Sequence, residues 1–83
     1  MAASTFDEVR GIASDIFGVP AERLTAASSP DTVENWDSVQ HLNLVLALEE
    51  RFSVQLSPEE IEQMKTLGET SALIATKLQA SPR

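Results

Sequence analysis

Apolar residues along this chain gather into four groups with helical spacing, separated by polar or turn-forming stretches. Phe6, Val9, Ile12, Ala13, Ile16 and Phe17 predict a first helix from about Thr5 to Phe17. Thr5 with Glu8 has the spacing of a capping box, Gly18 suits the left-handed C-terminal position, and Pro20 forbids continuation. A second helix is expected from Ser38 to Arg51 or Phe52, capped by Asp37 or Ser38, with Asp37 and Gln40 at capping-box-like spacing. A short third helix begins at Ser57-Pro58-Glu59-Glu60, with Ser57 as cap, Pro58 in the first helical position and Glu60 completing the box; it turns Ile61 and Met64 inward. The last helix starts near Thr66, with Glu69 three residues on, and directs Leu73, Ile74 and Leu78 to the core.

No strand, internal repeat or low-complexity tract is read. The expected fold is all-α: one domain over residues 1–83, ordered over about 5–79, forming a small four-helix bundle with a short third helix. The tail Ala80-Ser81-Pro82-Arg83 is expected to fray. Residues 18–37 form a long connection between the first and second helices, rich in Ala, Ser, Thr and Pro, with a turn signal at Ser28-Ser29-Pro30-Asp31. In so small a domain such a loop is functional or held by its own apolar anchors, here Val19, Leu24, Val33 and Trp36.

The second helix carries two apolar stripes. At roughly 100° per residue, Leu44, Val45, Leu48 and Phe52 share one arc, which is assigned to the core. Val39, Leu42 and Leu46 share an adjoining arc near Ser38, with Glu49 between the two. Together they exceed the ~100° stripe that a surface helix needs. Either this helix is packed on both sides, or Val39, Leu42 and Leu46 stay exposed as a docking ridge rimmed by Asn43, Glu49 and Glu50; the two can coexist.

Composition narrows the chemistry. The 83 residues are 42% hydrophobic, enough for one modest core, and four prolines and three glycines are too few for a disordered or fibrous chain. With no cysteine there is no disulfide, thiol nucleophile or thiolate metal site, and His41, the lone histidine, cannot build a metal site or a triad alone. No apolar run approaches the ~20 residues of a membrane span, and Met1-Ala2-Ala3-Ser4 lacks signal-peptide character. A soluble cytoplasmic protein is the default. The net charge of −7 is concentrated: eight acids and one base, Arg51, lie between Asp31 and Glu62, whereas acids and bases balance elsewhere. Such a field repels nucleic acid and anionic lipid and favours basic protein surfaces.

That acidic window contains the chain's main chemical feature, Asp37-Ser38-Val39. Ser38 stands at the start of a helix, where free N–H groups and the macrodipole favour an anion such as a phosphodiester. An Asp-Ser pair alone is more often a plain cap. Here, however, Glu34-Asn35-Trp36-Asp37-Ser38-Val39-Gln40-His41-Leu42, continued by Leu48-Glu49-Glu50-Arg51-Phe52, resembles the acyl carrier proteins. The likeness extends to Val54, Leu56 and the Ser57–Ile61 helix start, and more weakly to both ends.

The resemblance implies that Ser38 carries covalent 4′-phosphopantetheine, transferred from coenzyme A by a separate phosphopantetheinyl transferase, whose thiol holds cargo as a thioester. Asp37 has a supporting role, and Val39, Leu42, Leu46, Glu49 and Glu50 resemble partner-facing positions. The implied partners are an acyl- or aminoacyl-loading ligase or transferase and a downstream synthase or transferase, with no nucleic acid and no membrane. The chain is then a non-catalytic, monomeric carrier. Gln40, His41 and Asn43 stand where fatty-acid carriers often bear acids or small polar residues, and fewer charges near the serine imply a dedicated pathway partner rather than general fatty-acid enzymes. Trp36 stands where a glycine or small residue is common, and Trp36 with His41 resembles stand-alone carriers of specialised pathways. Taken singly, His41 is expected to be packed or hydrogen-bonded, Trp36 to anchor the loop, and Glu59, Glu60 and Glu62 to form a solvated helix start. Two other readings are an aminoacyl or peptidyl carrier of a nonribosomal pathway and an unmodified acidic interaction module.

Overall fold

The computed structural model describes residues 4–80, so the expected fraying of the tail falls, from Ser81 onward, outside the described residues. Four α-helices follow one another: α1 (Thr5–Phe17), α2 (Ser38–Phe52), α3 (Pro58–Gln63) and α4 (Leu67–Ala80). A 3₁₀ turn at Ala21–Arg23 interrupts the long connection, and no strand occurs among the described residues. None of these helices is long and apolar enough to cross a membrane.

Each helix starts where a side chain meets its free N–H groups. In α1 this is Ser4, whose hydroxyl accepts from the Asp7 N–H, and not Thr5 as expected. Ser4 has the extended backbone a cap requires, while Thr5 is already helical. Gly18 closes α1 in the left-handed region at φ 70°, a conformation that disfavours side chains. The Ser57–Glu60 capping box of α3 is complete, with Pro58 in the first turn. The α2 helix is capped by Asp37, but the reciprocal half of that box is absent: Gln40 Nε2 instead donates to the Ile16 carbonyl at the end of α1.

Packing places α1 against both α2 and α4, while α3 packs on α4. Val9, Ala13 and Phe17, spaced four apart on one face of α1, meet Leu44, Val45 and Leu48 of α2, with Leu67 and Ile74 of α4. Phe52 is half-buried against this core, as are Ile61 and Leu73. Leu78, expected to point inward, is 39% exposed, because Ile74 and Leu67 set the buried side of α4. Buried Thr70 and Ser71 return their hydroxyls to the Thr66 and Gly68 carbonyls of their own helix, so no polar penalty arises.

The loop over residues 18–37 is tightly held. Leu24, Val33 and Trp36 are buried as expected, with Val19 half-buried. Its backbone also caps α4: the Leu67 and Gly68 N–H groups donate to the Ser28 and Ala26 carbonyls at 3.0 and 2.9 Å. Those donors would otherwise be orphans of the α4 terminus. The approach is so close that a Cβ on Gly68 would lie 3.0 Å from both Ala26 Cβ and Ala26 O. Substituting Gly11, which has open space around it, with Ala is therefore expected to raise stability by about 0.5–1 kcal/mol. Gly68→Ala should instead lower it by about 1 kcal/mol, because overpacking against a hydrogen-bonded carbonyl outweighs helix propensity. Urea unfolding of the two variants checks the opposite signs.

The third helix is tied to α4 by Lys77, which pairs with Glu60 at 2.7 Å. This Lys77 hydrogen bond, followed by that from the Ser57 N–H, holds the Glu60 carboxyl below its ordinary value of 4.5. Since the folded-state value is the lower one, the stabilisation is complete above the unfolded value and fades as pH falls through the folded one. Glu60→Gln should thus flatten part of the stability loss below about pH 4.5. Equal slopes for both proteins in acid unfolding series would refute this.

Candidate functional site

Asp37, Ser38 and Val39 sit together at the start of α2, all exposed. Asp37 Oδ1 accepts from the Gln40 N–H at 2.9 Å, and the Asp37 carbonyl accepts from His41 at 2.8 Å. The cap is thereby filled by Asp37, which leaves the Ser38 hydroxyl outside it. A serine one residue inside the helix, at its positive end, is a suitable place for a covalently held phosphate.

The expected second stripe of α2 is bare. Val39, Leu42 and Leu46 are 68%, 55% and 62% exposed, whereas Leu44, Val45 and Leu48 are buried. Of the alternatives raised by the wide apolar surface, the exposed ridge is the one seen. Glu50 and Asn43 flank it as exposed residues. Glu49 is half-buried and uses Oε2 to accept from the Leu56 N–H at 2.9 Å, so it also braces the loop between α2 and α3. Ser53 ends α2 in the left-handed region at φ 56°.

Trp36 anchors the loop just ahead of Asp37. It is 2% exposed and stacks on Phe17 with ring centroids 5.0 Å apart. Its indole N–H donates to His41 Nδ1 at 2.9 Å, and His41 Nε2 lies 3.1 Å from the Ile61 carbonyl. Asn35 ties the same loop to α1 by donating to the Phe17 carbonyl at 2.7 Å. Gln40, between the Ile16 carbonyl and Asn43, is also engaged internally. The uncharged character of positions 40, 41 and 43 thus has an internal use: Gln40 and His41 knit the loop, α1 and α3 to α2, while Asn43 bonds Gln40.

An open groove of about 780 Å³ runs beside Ser38, with Trp36, Leu42, Ile61 and Met64 as its apolar lining and Lys65 as its ammonium. The α3 contribution to this site had no counterpart among the sequence candidates; the inward spacing of Ile61 and Met64 next to the Ser57 cap was the available signal.

The family model described as a phosphopantetheine attachment site matches residues 7–74. Among curated relatives, the acyl carrier protein of Chlamydia caviae is 32% identical over 86% of this chain and 92% of its own length. The chain belongs to the acyl carrier protein family. Acyl carrier proteins of Thermosynechococcus vestitus (32% identity, 89% of this chain and 91% of that one) and Helicobacter hepaticus (34%, 84% and 92%) are similarly related. The solution structure of holo acyl carrier protein from Geobacter metallireducens superposes with a TM-score of 0.81 at 25% identity, covering 95% of each chain. As a member of this family the chain is a carrier that tethers acyl groups on covalently attached 4′-phosphopantetheine and interacts with biosynthetic enzymes.

Because the second stripe of this carrier is mostly exposed and lies outside the core, replacing Val39, Leu42 or Leu46 by Ala should change stability by no more than about 0.5 kcal/mol. Leu44→Ala, two residues from both Leu42 and Leu46 but fully buried, should cost about 2–5 kcal/mol. Denaturant midpoints for the four variants distinguish ridge from core.

Proposed function

We propose that Ser38 is the attachment residue, receiving 4′-phosphopantetheine from coenzyme A through a separate phosphopantetheinyl transferase, and that the chain itself is non-catalytic. The observation that carries this reading is the division of labour at the start of α2. Asp37 fills the cap, so the exposed Ser38 hydroxyl is available for modification at the positive end of the helix. A phosphodiester there gains about 0.3–1 kcal/mol from the macrodipole. Once bound, the group supplies a flexible arm whose thiol holds the acyl carbon as an activated thioester.

The chain's own residues do the rest. Asp37 fixes the first turn of α2 and so the direction in which Ser38 projects. Val39, Leu42 and Leu46 offer an apolar strip for partner enzymes, and Glu50, with the free side of Glu49, supplies charge at its edge. The acid excess over residues 31–62 draws basic surfaces toward that strip. The partners in this reading are a loading ligase or transferase and a downstream synthase or transferase, both docking on α2.

Intact mass spectrometry tests the assignment. Incubation of the wild-type chain with coenzyme A and a broad-specificity phosphopantetheinyl transferase should add one prosthetic group, and Ser38→Ala should gain none. A mass gain that survives in Ser38→Ala would move the attachment to another residue. No gain in the wild-type chain would leave an unmodified interaction module.

A further inference from the structure

His41 lies one helical turn beyond Ser38, half-buried, with both ring nitrogens engaged. An indole N–H only donates, so Nδ1 must carry the lone pair that receives Trp36. A carbonyl only accepts, so Nε2 must carry the proton that meets Ile61. One neutral tautomer satisfies both bonds and the other satisfies neither. The two partners belong to different elements. Trp36 immediately precedes the Asp37-Ser38 pair, and Ile61 belongs to the six-residue α3, whose helix neighbour is α4 rather than α2. Trp36, His41 and Ile61 all line the groove beside Ser38.

We propose that His41 is a positioning residue for the modification of Ser38. As a two-sided clasp it fixes, relative to α2 and its first residue Ser38, both the loop that ends in the Asp37 cap and the α3 wall of the adjoining groove. The functional half of this proposal rests on Ser38 as attachment residue; the clasp itself does not. Protonating the ring removes the acceptor at Nδ1 and sets two N–H groups against each other, so the Trp36 bond is lost in the imidazolium. The charged groups sharing the groove are Asp31 and Asp37 of the loop, Glu62 of α3 and Lys65 beyond it.

The test uses the full ¹⁵N-labelled chain without its prosthetic group, as wild type, His41→Leu and His41→Gln. A glutamine amide can accept from Trp36 and donate to Ile61; leucine can do neither. In His41→Leu, exchange of the Trp36 indole N–H and of the Met64 amide, which bonds the Ile61 carbonyl, should accelerate about tenfold. Amides of α1 and α4 should keep their protection, and His41→Gln should restore most of the loss. With coenzyme A and a transferase, His41→Leu should lower kcat about tenfold with little change in KM, since the hydroxyl is misplaced while the ridge is intact.

Unchanged exchange at Trp36 and Met64 in His41→Leu overturns the clasp. Loss spread equally over α1 and α4 shows a general structural role and overturns it too. An unchanged kcat overturns the positioning role. If the exchange pattern holds while the wild-type chain takes no prosthetic group, the clasp stands and the Ser38 assignment is what fails.

Discussion

Burying the Trp36 indole strips its N–H of water, and the cost is avoided because His41 Nδ1 stands 2.9 Å away. That single requirement propagates. It selects the tautomer of His41, which directs Nε2–H to the Ile61 carbonyl and so ties α3 to α2 through this one bond. It also holds the Trp36 ring between Phe17 and the His41 imidazole, so the end of α1, the loop and the start of α2 are joined by two successive aromatic contacts. The exposed Asp37-Ser38 turn therefore stands on a rigid base, although it is itself solvent-facing.

The long loop is ordered by a second economy of hydrogen bonds. The first N–H groups of α4 need acceptors, and the carbonyls of Ala26 and Ser28 supply them. The loop gains a fixed path and the helix gains a cap, with the missing side chain of Gly68 allowing the two backbones to meet. An 83-residue chain has limited apolar surface to bury, and polar ties of this kind add to what its core supplies. The same holds for Gln40 on the Ile16 carbonyl, Asn35 on the Phe17 carbonyl and Glu49 on the Leu56 N–H.

What was legible in the sequence is what local rules govern. The bounds of α2, the capping box of α3, the Gly18 terminus and the existence of a second apolar stripe on α2 follow from caps and periodicity that span a few residues, whereas that stripe's exposure was decided only by the folded arrangement. The position of Ser38 at the head of α2 was legible for the same reason. Errors came where one local pattern had two solutions: Ser4 and Thr5 could each cap α1, and Leu78 continued the apolar spacing of α4 after the core had closed at Ile74. The Trp36–His41–Ile61 chain, the Gln40 crosslink and the meeting of Gly68 with Ala26 join residues from different elements. No periodicity encodes such tertiary pairings, so the α3 wall of the groove emerged only from the folded arrangement.

An apolar strip left in water invites copies of the same molecule to stick together. In this chain the bare side of α2 lies inside the one region where acids outnumber bases eight to one, so any two copies approach strip to strip against their own repulsion. Like-charge repulsion of this kind does not act against a basic surface. The clustering of charge thus serves as a colloidal safeguard, because it discourages the bare side of α2 from adhering to its own copies.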